Sequence, residues 1–238
     1  MLSTRLIAAY RRTGADVPWG DPLPSHATEM EGWFWRVTDP DSGRVVVALC
    51  GVNRHPAGDW ATVAVALHPG GVVRAAALDD AYAAGDHFEL RAGTSADSRI
   101  EASVDRLLVD LDDVHVDLRF SDSFEWPLAF GGGGVFSAVP FLNQYWQPYR
   151  LGGAATGEVA LGTDRWSFER AATYGERNWG AGFPDRWWWG QAHDFDGADV
   201  SVAFSGGVLS LGPIARAVGG AVVRLGDRVI RITPPAPV

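Results

Sequence analysis

The segment from Tyr174 to Asp194 concentrates the residue types that could do chemistry. It contains four of the chain's 11 tryptophans, together with carboxyl groups, amides and His193. Carboxyl and imidazole groups transfer protons in enzymes, while aromatic rings are costly to expose and carboxylates are costly to bury unpaired. Because four glycines and a proline also interrupt the segment, its composition favours a cavity wall over a plain core. We expect chemistry or ligand recognition here.

A strand over residues 186–193 would sort these side chains by alternation. Trp187, Trp189, Gln191 and His193 would then share one face. That face changes from indole to amide to imidazole, which suits a pocket that is apolar at one end and polar at the other. Each tryptophan taken alone fits a core position better, so the prediction of a cavity depends on the polar members of the face.

The elements that position this segment are predicted to be strands. Residues 2–12 fit a short amphipathic helix, and the proline-rich stretch after them would end it. Beyond it, apolar residues recur with a period of two between turn signals, which is typical of an all-β sandwich or barrel. In the first strand, Glu31, Trp33, Trp35 and Val37 would share one face. Further strands are predicted at residues 44–52, 60–68, 71–78, 87–91, 99–104, 114–120, 154–161, 166–173, 186–193, 200–205, 208–211 and 216–232.

A run of four glycines at residues 131–134 interrupts this pattern. Consecutive glycines destabilise strand and helix interiors, so the run predicts either a plain surface loop or the hinge of a lid. An aromatic and amide-rich connector over residues 140–149 follows it. The interpretation is therefore two β halves, an N-terminal domain over 1–145 and a C-terminal domain over 146–238.

Composition excludes several classes of function. The chain has 238 residues and a net charge of −9, which argues against a nucleic-acid partner, since phosphate binding needs a basic surface. No apolar run reaches the length of a transmembrane helix, and the N-terminus has no secretory pattern, so we expect a cytoplasmic protein. The single cysteine, Cys50, fits a small buried hydrophobe. The six histidines show no metal-binding spacing, so no metal site is predicted.

Three motifs together resemble the tocopherol cyclase family. Residues 174–191 contain Glu-Arg-Asn-Trp-Gly, then Phe-Pro, then Trp-Trp-Trp-Gly-Gln. Residues 30–37 are similar to the family's early Glu-Gly-Trp strand, and residues 143–153 are similar to the connector before its second half. Arg177 stands where the family usually has lysine, and Gln147 stands where many relatives would have histidine. The family usually continues through further strands, so we expect the last β-domain to be incomplete.

The resemblance implies a lipocalin-like fold of two packed β-domains, and a cofactor-independent activity. Tocopherol cyclases add a phenol oxygen across a prenyl alkene, which needs a protonated acid and a pocket that tolerates a carbocation. Glu176 and Asp185 are the first candidates for the acid, followed by Glu31. The alternative for Glu176 is an ion pair with Arg177 or Arg186.

The implied substrate is a hydrophobic small molecule, such as a prenylated aromatic or a polyene. Gln191 and His193 are expected to hold its polar head, and tryptophans its tail. The substrate-binding candidates are Trp33, Trp35, Tyr145, Trp146, Tyr174, Asn178, Trp179, Trp187, Trp189, Gln191 and His193. Two other functions stay open: a hydratase of a prenyl or carotenoid alkene, in which water captures the cation, and a carrier that binds a hydrophobic ligand unchanged.

Overall fold

The structure, a computed structural model, describes residues 4–122, 126–195 and 198–233. Within these ranges one α-helix comes first, and fifteen strands follow it. The elements are α1 (Thr4–Arg11), β1 (Met30–Asp39), β2 (Arg44–Asn53), β3 (Trp60–His68), β4 (Val72–Asp79), β5 (Tyr82–Ala83), β6 (Glu89–Ser95), β7 (Ser98–Ser103), β8 (Arg106–Leu111), β9 (Val114–Ser121), a 3₁₀ helix (Gly134–Ala138), β10 (Gln144–Leu161), β11 (Asp164–Gly180), β12 (Trp187–Phe195), β13 (Ala198–Leu211), β14 (Ile214–Leu225) and β15 (Arg228–Ile232).

Eleven strands form one antiparallel sheet in the order β4-β3-β2-β1-β11-β10-β9-β8-β7-β6-β5. The sheet curls until β4 lies close to β6, β7 and β8. Its inner face is filled by one hydrophobic core, to which β1 contributes Trp33, Trp35 and Val37. The interior of this first unit is therefore a packed core, and a site has to lie elsewhere.

The remaining strands form a second sheet in the order β12-β13-β14-β15. It covers the outer face of the first sheet near β10 and β11. Leu151 and Tyr174 of the first sheet pack there with Ala203 and Val222 of the second. The central strands of the first sheet are thus covered on both faces, by the inner core on one side and by the second sheet on the other.

The all-β prediction and the short N-terminal helix are confirmed. The predicted strands 200–205 and 208–211 form a single strand, because Gly206 and Gly207 keep their pairing with β14. The predicted strand 216–232 is two strands, which a turn containing Gly226 separates. Strands β5 and β8 lie where the sequence predicts no strand. The expected division near residue 145 stays a prediction, and β10 and β11 hydrogen-bond into the first sheet.

The glycine run forms a turn that leads into the 3₁₀ helix. Two of its members lie directly against β10: a Cβ on Gly131 would collide with the amide of Gln147, and a Cβ on Gly132 would lie 2.6 Å from Pro148. Gly132 also donates its backbone N–H to Gln147 Oε1 at 2.7 Å. Close backbone packing explains these glycines better than a hinge does.

Candidate functional site

A cavity of about 560 Å³ lies between the two sheets. The first sheet supplies residues of β1, β2, β3, β10 and β11, and the second sheet supplies residues of β12, β13 and β14. The side chains most relevant to chemistry and shape are Phe34, Asn53, Gln144, Trp146, Glu176, Asn178, Phe183, Trp187, Trp189 and Ser205. The wall is mainly apolar, with a carboxyl group and several amides, as ligand pockets commonly are.

Glu176 is buried in this wall and is surrounded by neutral hydrogen-bond donors. Its Oε2 atom accepts bonds from Tyr174 Oη at 2.6 Å, Trp146 Nε1 at 2.8 Å and Trp189 Nε1 at 2.7 Å. Phe34 packs edge-on against Trp189 and Tyr174, with ring centroids 5.2 and 6.3 Å apart. The carboxyl group therefore sits in an aromatic cage that β1, β10, β11 and β12 build jointly.

Burial raises the pKa of Glu176 above its ordinary value, and the three hydrogen bonds offset only part of that increase. Within the described part of the chain, no salt bridge involves Glu176. The alternative of an ion pair with Arg177 or Arg186 is therefore not observed, and Arg177 points to the opposite face because neighbouring residues of a strand alternate. Burial also holds the pKa of Tyr174 well above 10, so this phenol stays a neutral donor.

Glu31 lies on the inner face of the sheet in an ion network. It pairs with Arg177, and with Arg54 at 3.0 Å, and accepts a hydrogen bond from Ser25 Oγ at 2.8 Å. Burial alone would raise the pKa of Glu31, but the charges of Arg177 and Arg54 hold it below its ordinary value. Glu31 is absent from the cavity lining. This environment suits a permanent carboxylate better than a proton donor.

Asp185 lies in the connection between β11 and β12 and is exposed to solvent. It does not line the cavity. Of the three predicted acids, only Glu176 combines burial with a place in the cavity wall.

The predicted substrate-binding residues divide into two groups. Tyr145, Trp146, Asn178, Trp187 and Trp189 line the cavity. At its rim Trp187 and Phe183 are exposed, and their rings lie 5.6 Å apart. Tyr174 reaches the site through its hydrogen bond to Glu176.

The other aromatic candidates pack their rings against the fold. Trp35 is 2% exposed and belongs to the inner core. Trp33 touches the cavity wall, but its indole packs between Phe88 and the guanidinium of Arg177. Trp179 stacks on His26 and donates Nε1 to the backbone of Gly14. The structure therefore places these three rings among the residues that support the fold.

Gln191 and His193 lie farther along β12, outside the cavity lining. Gln191 accepts a hydrogen bond from Arg36 at 3.0 Å, and its amide nitrogen lies 3.1 Å from His193 Nδ1. Burial, followed by the charge of Arg36, lowers the pKa of His193 to about 4. The imidazole is thus neutral at physiological pH.

Sequence reasoning missed Phe34, Gln144 and Ser205. Phe34 lies between Trp33 and Trp35 on β1, so alternation alone could have placed it on the opposite face of the strand. Among the residues described, no group of three or more histidine, cysteine, aspartate or glutamate side chains could hold a metal ion. No helix in the same part of the chain is long and apolar enough to cross a membrane.

Comparison of sequences finds similarity to one family over part of the chain. The model of the tocopherol cyclase-like family matches residues 120–236. The chloroplastic tocopherol cyclase of Zea mays is 40% identical over 81 residues, which are 33% of this chain and 17% of the maize protein. A second chloroplastic relative, from Oryza sativa subsp. japonica, is 41% identical over 81 residues and again 17% of its length is covered.

Comparison of structures gives the fold. Kievitone hydratase from Nectria haematococca superimposes with a TM-score of 0.54 at 10% identity, over 89% of this chain and 66% of the hydratase. The protein CghA superimposes with a TM-score of 0.60 at 15% identity, over 90% of this chain and 64% of CghA. At such low identity the likeness shows the architecture alone, and it confirms the lipocalin-like arrangement of two packed β units.

Proposed function

We propose that this chain, whose residues 120–236 belong to the tocopherol cyclase-like family, is an enzyme that cyclises a prenylated (hydro)quinone or a related prenyl or polyketide compound by acid catalysis. The observation that carries the proposal is Glu176: a buried carboxyl group with neutral donors, a raised pKa and a place in the wall of an apolar cavity. A neutral acid that is held ready inside a pocket is the group that protonation of an alkene requires.

The hydrogen bonds of Glu176 define which of its oxygens delivers the proton. All three donors converge on Oε2. In a neutral carboxylic acid the carbonyl oxygen is the stronger hydrogen-bond acceptor, so the oxygen that accepts all three bonds is assigned as the carbonyl oxygen and the other oxygen as the hydroxyl. The proton of the neutral acid therefore resides on Oε1, and Glu176 would donate it from there to the substrate.

The indole rings around Glu176 would stabilise the cation that protonation creates. Trp146 and Trp189 both donate their N–H groups to Glu176 Oε2, and both line the cavity beside this group. A cation over an indole face gains about 0.5–2 kcal/mol per contact. The same two residues thus orient the acid and line the space beside it.

The reaction balances without a redox partner. The proton on Glu176 Oε1 adds to the less substituted alkene carbon, and the other alkene carbon becomes a tertiary cation. A phenol oxygen of the substrate forms the C–O bond to that cation and loses its proton. The Glu176 carboxylate takes up this proton, so the product is an isomer of the substrate and the acid is restored.

Incubation of the pure protein with a prenylated hydroquinone tests the proposal. A chroman product is expected from the wild type and from Asp185→Asn, whereas Glu176→Gln should bind the compound without turnover. Asp185→Asn is the matched control, because it also neutralises a predicted acid but at an exposed position. A product hydrated on the prenyl tail would instead indicate a hydratase. Binding without any product by the wild type would indicate a carrier and overturn the proposal.

A further inference from the structure

We propose that the amides of Asn178 and Gln144 form a subsite for a hydroxyl group on the ring of the substrate, at the side of the ring away from the reacting alkene. This inference rests on the proposed function and adds the residues that orient the substrate. Both side chains line the cavity. They lie on the same face of β11 and β10 as Glu176 and Trp146.

The first observation is that both amides have an unused acceptor. Asn178 Oδ1 and Gln144 Oε1 are buried, and neither accepts a hydrogen bond from any residue that the structure describes. A buried acceptor without a partner is costly, so such atoms in native proteins normally bond to a ligand or to water. Two such acceptors in one cavity wall mark a place where a donor belongs.

The second observation is the spacing from the acid. Asn178 follows Glu176 by two residues on β11, so their Cα atoms are about 7 Å apart along the strand. Asn178 also pairs across the ladder with Trp146, and Gln144 precedes Trp146 by two residues. A six-membered ring with substituents at opposite positions fits this span. When the prenyl alkene of the substrate lies at Glu176, the hydroxyl group on the opposite side of the ring lies at the amides of Asn178 and Gln144.

The third observation explains how Asn178 is held in place. Gly32 of β1 pairs directly with Asn178, and a Cβ built on Gly32 would lie 2.8 Å from Asn178 Oδ1 and 3.1 Å from Nδ2. The missing side chain at residue 32 lets the amide lie flat on the backbone of β1. Gly51, which pairs with Gly32 from β2 and also lines the cavity, has nothing within 4 Å of a built Cβ.

The test compares a prenylated hydroquinone with its methyl ether at the hydroxyl opposite the reacting phenol. Binding is measured by quenching of tryptophan fluorescence in the Glu176→Gln background, so that no turnover occurs. The hydroquinone should bind about 3- to 10-fold more tightly than the ether, as expected for one hydrogen bond. Asn178→Leu should reduce this ratio to below about twofold, and Gln144→Leu should reduce it partly.

The two glycines supply a matched pair of variants that keep both amides. Gly32→Ala should lower the ratio because its methyl group displaces Asn178, whereas Gly51→Ala adds a methyl group to the same wall and should keep the ratio. If Asn178→Leu and Gly32→Ala both keep the wild-type preference, the subsite is wrong. If the protein prefers the hydroquinone to its methyl ether but the wild type turns nothing over, the proposed function alone is overturned. If the wild type turns the hydroquinone over but binds the two compounds equally well, the subsite alone is overturned.

Discussion

Glu176 and Glu31 occupy opposite faces of the same curled sheet and have opposite electrostatic environments. Glu31 is held between two arginines and has a lowered pKa. Glu176 receives hydrogen bonds from two indoles and a phenol, and its pKa is raised. Both carboxyl groups are buried, so burial alone does not separate them.

The charge of the partners therefore decides what a buried carboxyl group does. Arginines stabilise the anion and fix a structural pair, whereas neutral donors orient the group and leave the neutral acid accessible. Arg177 is adjacent to Glu176 in sequence, yet alternation directs it to Glu31. One strand, β11, thus contributes to a structural ion network on its inner face and to a candidate acid on its outer face.

The largest effect is expected from the candidate acid. Glu176→Gln keeps the size of the side chain and an oxygen for the three donors but removes the transferable proton. The turnover number with a prenylated hydroquinone should fall by about 10²- to 10⁴-fold, while the circular dichroism spectrum stays that of the wild type. Turnover within threefold of the wild type would contradict the assignment.

Substitutions in the ion network around Glu31 should instead lower the free energy of unfolding. Arg177→Met leaves Glu31 buried with one cation fewer, and removing one partner of a buried pair costs about 3–5 kcal/mol. Urea denaturation should show this loss in the free energy of unfolding. Glu176→Gln, measured alongside, should change that free energy by less than about 1 kcal/mol, since it breaks no ion pair. Equal losses in the two variants would remove the distinction between the two faces.

The contributions of the two glutamates to stability should also depend on pH with opposite signs. The lowered pKa of Glu31 contributes stability above the ordinary carboxyl range, and this contribution is lost as the pH falls through its folded-state pKa. The raised pKa of Glu176 contributes stability at low pH, and this is lost as the pH rises through its folded-state pKa. Glu176→Gln should therefore gain stability relative to the wild type as the pH rises. Denaturation between pH 4 and 8 measures the trend, and a gain toward low pH would contradict it.

The smallest effect is expected from removing one of the hydrogen-bond donors to Glu176. The hydrogen bond from Tyr174 lowers the pKa of Glu176, so Tyr174→Phe should raise that pKa further. The descending alkaline limb of the pH–rate profile should then shift to higher pH. Phe34→Leu, a control that contacts the same cage without a hydrogen bond, should leave the limb in place. A shift to lower pH in Tyr174→Phe would contradict the role of this bond.

Alternation predicted the faces of the strands but not which face borders the cavity. On β12 the predicted face with Trp187 and Trp189 does line it. On β1 the predicted face with Trp33 and Trp35 fills the inner core, and Phe34 lines the cavity instead. Both faces of β1 are covered, so both carry apolar residues, and the period of two cannot distinguish a core from a pocket.

The sequence does not predict the partners of each carboxyl group, for a similar reason. The contacts of Glu176 come from β10, β11 and β12, and those of Glu31 come from β11, from residue 54 after β2 and from the segment before β1. Only the antiparallel register of β1 with β11 brings Arg177 to Glu31. Local motifs identified Glu176 as a candidate, and the tertiary structure supplies its environment.

The most direct measurement is the titration of the two carboxyl groups by ¹³C NMR, with glutamate labelled at Cδ and the signals assigned from Glu176→Gln and Glu31→Gln. We expect Glu176 to titrate above the ordinary glutamate pKa of about 4.3 and Glu31 to titrate below it. A Glu176 signal that titrates at or below the ordinary value would show a permanent carboxylate, and would contradict its role as the acid.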